Sequence, residues 1–271
     1  MSRYATLETS IENGVLTITM NRPDKRNALS PAMIQELTHA FAAAANDPGC
    51  AVILLTGAGS AFCAGLDLEH LETLHTKTPE EHRRDSESIS HMLRTVYDTP
   101  KPTIAAVNGS AIAGGMGLAT ICDFTLAVPE AKFGYTEVKI GFIPAIVSAY
   151  LRSQIGDKRS RDLLLTGRLV RAAEALDLGV VTRIVPAQDL MDEANGLAAC
   201  LLRNSSAAMQ ATKRLMNDYA RRDLDQQLAA AIAANAEART TDDFKEGLRS
   251  FLEKRAPEWP SLKAEKRGSF D

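Results

Sequence analysis

Three short stretches of this chain hold the groups most able to do chemistry, and in two of them the reactive groups are backbone amides. The first is "AIAGGMGLATICDF" (111–124), where Gly114, Gly115 and Gly117 interrupt an apolar run. A helix beginning near Gly114 or Gly115 leaves its first N–H groups without intrahelical partners, and glycine lets a ligand approach where a Cβ would block it. The plain alternative is a buried helix that tolerates glycine. The second is "FCAGLDLEHL" (62–71), in which Gly65 closes a loop and Asp67 and Glu69 fall in the first turn of a helix, where their charge suits the helix dipole. Taken alone, this is also what an ordinary capped turn looks like. One N–H from each loop, aimed at one oxygen, would stabilise negative charge there.

The third stretch, "FGYTEVKIGFIPAIVSAYL" (133–151), supplies an acid. Glu137 stands among Phe133, Val138, Ile140, Phe142 and Ile143. Apolar surroundings raise a carboxyl pKa toward neutrality, as a proton-transferring group requires. A surface Glu137 paired with Lys132 or Lys139 is the competing expectation.

Other chemistries find little support. "TGAGSAFCAG" (56–65) follows a strand but lacks the third glycine of a dinucleotide fingerprint, and neither a Walker sequence nor a nucleophile elbow occurs. Cys50, Cys63, Cys122 and Cys200 form no CxxC pair, and the five histidines show no metal-binding spacing. With 31 Lys plus Arg against 34 Asp plus Glu, the net charge of -3 gives no general attraction to nucleic acid or an anionic membrane. Apolar runs stop short of the ~20 residues of a membrane span, and the N-terminus has no signal core. The expectation is a soluble, cytoplasmic protein in a reducing compartment.

The elements that must position these groups are legible as alternating strands and helices. "GVLTITMNRP" reads as a strand, "SPAMIQELTHAFAAAAND" as a helix capped by Ser30 with Pro31 at its first position, and "AVILLTGAG" as a strand buried on both faces. "HMLRTVYDTP", "PTIAAVNG" and "DFTLAVPEAKFGY" continue the alternation, giving an α/β core. From about residue 200 the sequence becomes Ala-rich and helical. The expected division is 1–199 for the core and 200–271 for a helical C-terminal region.

Together, "NRPDKRNALS", "GSAFCAGLDL", "KPTIAAVNGSAIAGGMGLATICDF", "AKFGYTEVKIGFIP", "LLLTGRLVRAAEALDLGVVTRIVP" and "FKEGLRSFLEKRAPEW" resemble the crotonase, or enoyl-CoA hydratase/isomerase, superfamily over nearly the whole chain. The resemblance implies a spiral of ββα turns, a C-terminal helical trimerisation region, and a homotrimer or dimer of trimers (a homohexamer). It also implies an acyl-CoA thioester as substrate, with coenzyme A entering only as part of it, and neither a metal nor a separate cofactor. Carried over by motif, the backbone N–H groups of Leu66 and Gly114 form an oxyanion hole and Glu137 is the catalytic acid/base. Lys25, Arg26, Ala28, Ala64, Asp67, Leu68, Gly115 and Gly117 bind substrate. Lys254 or Arg255 would reach the CoA phosphates, and Met92, Tyr135, Phe142 and Ile146 would line the acyl tail.

One position departs from the family pattern. Two-glutamate hydratases resemble "GGGCEL" at the oxyanion helix, whereas this chain reads "AGGMGL" and places Gly117 at the first glutamate. A sole carboxylate suits a Δ3,Δ2 double-bond shift, which needs only one base that removes a proton and returns it elsewhere. "GYTEVKIGFIPAIVSAYLRSQIG" instead resembles a bacterial branch of enoyl-CoA or methylglutaconyl-CoA hydratases, in which Glu137 would both orient water and move the proton. Hydration is the first expectation and isomerisation the alternative. A noncatalytic acyl-CoA-binding relative, or a hydrolase or decarboxylase of the same superfamily, also fits the retained oxyanion segments.

Overall fold

The structure, a computed structural model, describes residues 4–265. It opens with a hairpin of β1 (Leu7–Glu12) and β2 (Val15–Met20). Asn13 and Gly14 both adopt positive φ at its tip, the backbone that a tight hairpin turn demands. Helix α1 (Pro31–Asn46) follows, with the Ser30 side chain accepting a hydrogen bond from Met33 N–H and Pro31 at its first position, as the sequence predicts.

A pattern of two strands followed by helix then recurs. Strands β3 (Val52–Gly57) and β4 (Ala61–Cys63) lead to α2 (Leu68–Thr73) and α3 (Pro79–Asp98). Strands β5 (Thr103–Val107) and β6 (Ser110–Ile112) lead to α4 (Gly114–Thr120). Strands β7 (Phe124–Ala127) and β8 (Lys132–Gly134) lead through a 3₁₀ turn, Glu137–Ile140, to α5 (Ala145–Thr166), which is broken at Gly156. Short β9 (Val170–Arg171), α6 (Ala172–Leu178) and β10 (Arg183–Ile184) complete the last turn.

The two strands of each turn go to different sheets. One sheet has the order β1-β2-β3-β5-β7-β10 and the other β4-β6-β8-β9. From β2 onward the pairs of the larger sheet are parallel, so each crossover must carry the chain back along the sheet, and the helices do this. Every residue of β3 and β5 is buried, which explains their continuous apolar runs. This is the ββα spiral that the resemblance implies.

After β10 the described chain is helical apart from turns. Helix α7 (Leu190–Leu202) packs on the larger sheet, so a boundary at residue 199 would cut through it. The turn at Asn204 before α8 (Ser206–Ala238) is the break the structure shows. Helix α8 lies across α3 and α5 of its own chain. Helix α9 (Asp242–Leu252) then presses onto the Glu137–Ile140 turn, so closely that a Cβ at Gly247 would stand 2.3 Å from the Ile140 carbonyl oxygen. Phe142, Phe244, Leu71, Leu74 and Leu248 form a small second core there, and α10 (Pro260–Glu265) ends the described chain. Among the described residues no helix is long and apolar enough to cross a membrane.

Candidate active site

Loop 21–29 is fixed by a side chain that is itself fully buried. Asn27 accepts a hydrogen bond from Arg22 N–H and donates from Nδ2 to the carbonyls of Ala58 and Ala61, at 2.9 and 2.8 Å. The loop can therefore lie beside residues 64–67: Ala64 N–H donates to the Arg26 carbonyl, Leu29 N–H to that of Gly65, and Asp67 N–H to that of Leu29. This ladder engages the Gly65 carbonyl and the Asp67 N–H on either side of Leu66. Among the described residues the Leu66 N–H itself has no acceptor.

The second loop meets the first at Gly65. Gly65 has φ +89, and a Cβ added there would stand 2.9 Å from Ala113 Cβ and 3.6 Å from Gly114 N. Gly114 begins α4, so its N–H has no intrahelical acceptor, and none is found among the described residues. Ala113, just before it, is held at φ +53 and ψ -125, a conformation that costs an L-residue about 1–3 kcal/mol. That strain aims the Gly114 amide across the junction. Two unsatisfied N–H groups from separate loops thus share one wall.

The wall belongs to a cavity of about 150 Å³ that also exposes Glu137. Glu137 opens the 3₁₀ turn after β8, and its Oε2 is enclosed with no hydrogen-bond partner among the described residues. Burial pushes its pKa up to about 7, against a smaller opposing pull from a hydrogen bond of its own backbone N–H. Among the described residues neither Lys132 nor Lys139 partners this oxygen. A carboxyl poised near neutral pH and a pair of free amides can together move a proton and hold an oxyanion.

Other expected residues divide into two groups. Leu66, Gly114, Ala64 and Leu68 line the cavity, as do Met92, Phe142 and Ile146. The remaining expected residues take positions outside its lining. Ala28 is buried between Asn27 and Leu29, while Lys25 and Arg26 are exposed on loop 21–29, Lys25 paired with Glu69 at 2.5 Å. The Asp67 carboxylate caps α2 through Glu69 N–H and lies 2.6 Å from Arg22 Nη1, so it serves the loop. Gly115 and Gly117 pack beneath the cavity: a Cβ at Gly115 would meet the Cys63 carbonyl at 2.3 Å, and one at Gly117 would meet Val147 Cγ1 at 2.4 Å. Tyr135 is buried behind the wall. Arg255 is committed to Glu246 and Glu253 and Lys254 is exposed; Arg255 lines a wider, charged groove along α9 and α10 that holds none of the three chemical groups.

Sequence reasoning misses further residues of the lining. Ile89 and Leu93 of α3, Val147 of α5, Asn235 of α8 and Phe251 of α9 all border the cavity. Their signal was helical spacing alone, which says that a face is buried but not against what.

Comparison with known proteins agrees with this architecture. Residues 10–262 match the family model described as enoyl-CoA hydratase/isomerase. The chain belongs to the enoyl-CoA hydratase/isomerase family. A protein of Thermus thermophilus named putative enoyl-CoA hydratase is 46% identical over 248 residues, 91% of this chain and 98% of the relative. A probable enoyl-CoA hydratase of Mycobacterium bovis is 36% identical over 257 residues, 94% of this chain and 98% of the relative. Among solved structures, an enoyl-CoA hydratase/isomerase from Xanthobacter autotrophicus superposes with a TM-score of 0.86 at 30% identity, covering 93% of this chain and 97% of that one. An enoyl-CoA hydratase from Bacillus halodurans gives 0.85 at 28% identity, covering 91% and 100%.

At Gly117, the position where the sequence departs from the expected two-glutamate pattern, a side chain would have no vacant space. Val147 fills the place where its first carbon would go.

Proposed function

We propose that this protein hydrates 2-enoyl-CoA thioesters, with Glu137 as its acid/base and the Leu66 and Gly114 N–H groups as its oxyanion hole. The observation that carries the reading is the meeting of an enclosed carboxyl, one oxygen of it unpartnered, with two unsatisfied amides in one cavity. The hydratase names of the relatives support the direction of the chemistry.

The thioester oxygen accepts hydrogen bonds from Leu66 and Gly114. Ionised Glu137 takes a proton from water as the water oxygen bonds to C3, and the C2–C3 π electrons move toward the thioester to give an enolate. Negative charge collects on the oxygen, where a single such donor is worth ~2.7–4 kcal/mol in other enzymes. Glu137, now protonated, returns its proton to C2, so one carboxyl serves both half-steps and the product carries the elements of water. Coenzyme A enters as part of the substrate, and the reaction so written needs no separate cofactor. Ala64, Leu68 and Ala28, with Lys25 and Arg26 on the exposed part of loop 21–29, would guide the CoA moiety.

We further propose a cytoplasmic homotrimer or dimer of trimers, supported by the exposed Leu215, Met216 and Tyr219 on α8. Light scattering that returns a monomer would remove that assembly. For the reaction, purified protein is given 2-enoyl-CoA and 3-enoyl-CoA in parallel. Loss of conjugated-thioester absorbance with the first supports hydration; no loss with the first and a gain with the second would assign a double-bond shift instead.

A further inference from the structure

A polar side chain in the otherwise largely apolar lining of the cavity has no part in the reaction just described. Asn235 lies on the buried stripe of α8 formed by Leu224, Leu228, Ala231 and Ala238, is 5% exposed, and borders the cavity. Its Oδ1 lies 3.1 Å from Arg239 Nη2 and 2.9 Å from Ser86 Oγ. A guanidinium can only donate, so the atom facing Arg239 has to be the amide oxygen, and this fixes which way the carboxamide points. The Nδ2 edge is left over, and among the described residues it has no acceptor.

The network behind Asn235 is rigid. Arg239 has a fully buried side chain, donates to Asp85 Oδ2 at 2.5 Å and lies 5.8 Å from the Phe142 ring centroid. Asp85 also takes His70 Nε2 at 2.7 Å and stands 3.8 Å from Lys77 Nζ. Arg239 and Lys77 face one carboxylate, so the cluster carries a surplus of positive charge. The residue is buried while this donor stays free, and a donor kept from water without an acceptor costs about 1–3 kcal/mol. A wall built only to hold an alkyl chain would place a leucine here.

We propose that Asn235 is a specificity-determining residue, its Nδ2 donating to an oxygen on the acyl chain, so that this protein prefers acyl-CoA thioesters whose acyl group carries a further oxygen. The surplus charge behind the amide makes a carboxylate the strongest form of that oxygen. This rests on the reading of the cavity as the acyl site, and the test separates the two.

Equilibrium binding of unreactive saturated thioesters is measured by calorimetry: succinyl-, glutaryl- and adipoyl-CoA, their ω-hydroxy counterparts, and butanoyl-, pentanoyl- and hexanoyl-CoA. At least one oxygen-bearing ligand is expected to bind about tenfold or more tighter than its alkyl partner, with the carboxylate exceeding the hydroxyl. Asn235→Leu removes that advantage and leaves alkyl binding equal or stronger. Asn235→Asp keeps the size and the Arg239 contact but replaces the donor by an acceptor, so it disfavours the carboxylates even if the leucine variant folds poorly. Equal binding of oxygen-bearing and alkyl ligands, or a preference unchanged in both variants, overturns the proposal while leaving the hydratase reading intact. Failure of every thioester to bind overturns both.

Discussion

Two carboxyl groups stand close to the same cavity, and burial has opposite outcomes for them. Glu137 is enclosed with an orphan oxygen, and its pKa is pushed up to about 7. Asp85 is also largely enclosed, which alone would raise its pKa, but His70 and Arg239 hold it down at about 2. The difference lies in the partners. A carboxyl with an orphan oxygen and no cationic partner can exchange its proton at neutral pH, while one that joins Arg239, Lys77 and the His70 ring holds helices α2, α3 and α8 together.

Removing each carboxyl sharpens that contrast. Glu137→Gln is expected to lower turnover by about 10²–10⁴-fold while CoA-thioester binding persists. Undiminished turnover would remove Glu137 from the mechanism. Asp85→Asn leaves Arg239 buried with no counter-charge, an imbalance that costs roughly 3–5 kcal/mol. Urea unfolding should show that loss, and a stability equal to the parent would mean that the cluster is not a brace.

The two groups also predict opposite pH dependences. Glu137 holds its proton more tightly folded than unfolded, so its contribution to stability falls as pH rises from about 4.5 to about 7 and is constant above. Glu137→Gln should therefore be more stable than the parent above pH 7, by roughly 3 kcal/mol at most. Asp85 holds its proton less tightly folded, so its contribution is complete above about 3.8 and is lost as pH falls toward about 2. Hydration needs ionised Glu137, so kcat/KM should fall below an apparent pKa near 7. A flat profile from pH 5 to 9 would contradict that assignment.

The smallest effect concerns Gly117. Gly117→Ala places a methyl against Val147 Cγ1 and should cost about 1–3 kcal/mol in thermal or urea unfolding. Adding Val147→Ala should recover part of it. No coupling between the two would show that the helices adjust freely there.

The fold was legible because its signals are local. Ser30-Pro31 marks a helix start, the unbroken apolar runs of β3 and β5 mark strands covered on both sides, and Gly65 and Gly114 mark the two loop ends that meet. Glu137 was legible as an acid among apolar neighbours. The packing of Asp67, Gly115 and Gly117 was not, since a capping carboxylate or a glycine under a close contact has no local signature of its own. Asn235 did leave a trace, as the polar member of a buried stripe spaced by three and four residues. Only tertiary packing shows that this stripe faces the cavity, and that Arg239 sets the orientation of the amide.

The cavity draws its walls from Leu29 to Phe251, from the first loop to the last long helix. A bound thioester would therefore bridge segments far apart in the sequence, and the core without its C-terminal helices could not offer the complete site. By mass action, ligand would protect α8 and α9 from fraying as much as it protects the sheets. Occupancy and the integrity of the C-terminal helices are in this sense one equilibrium.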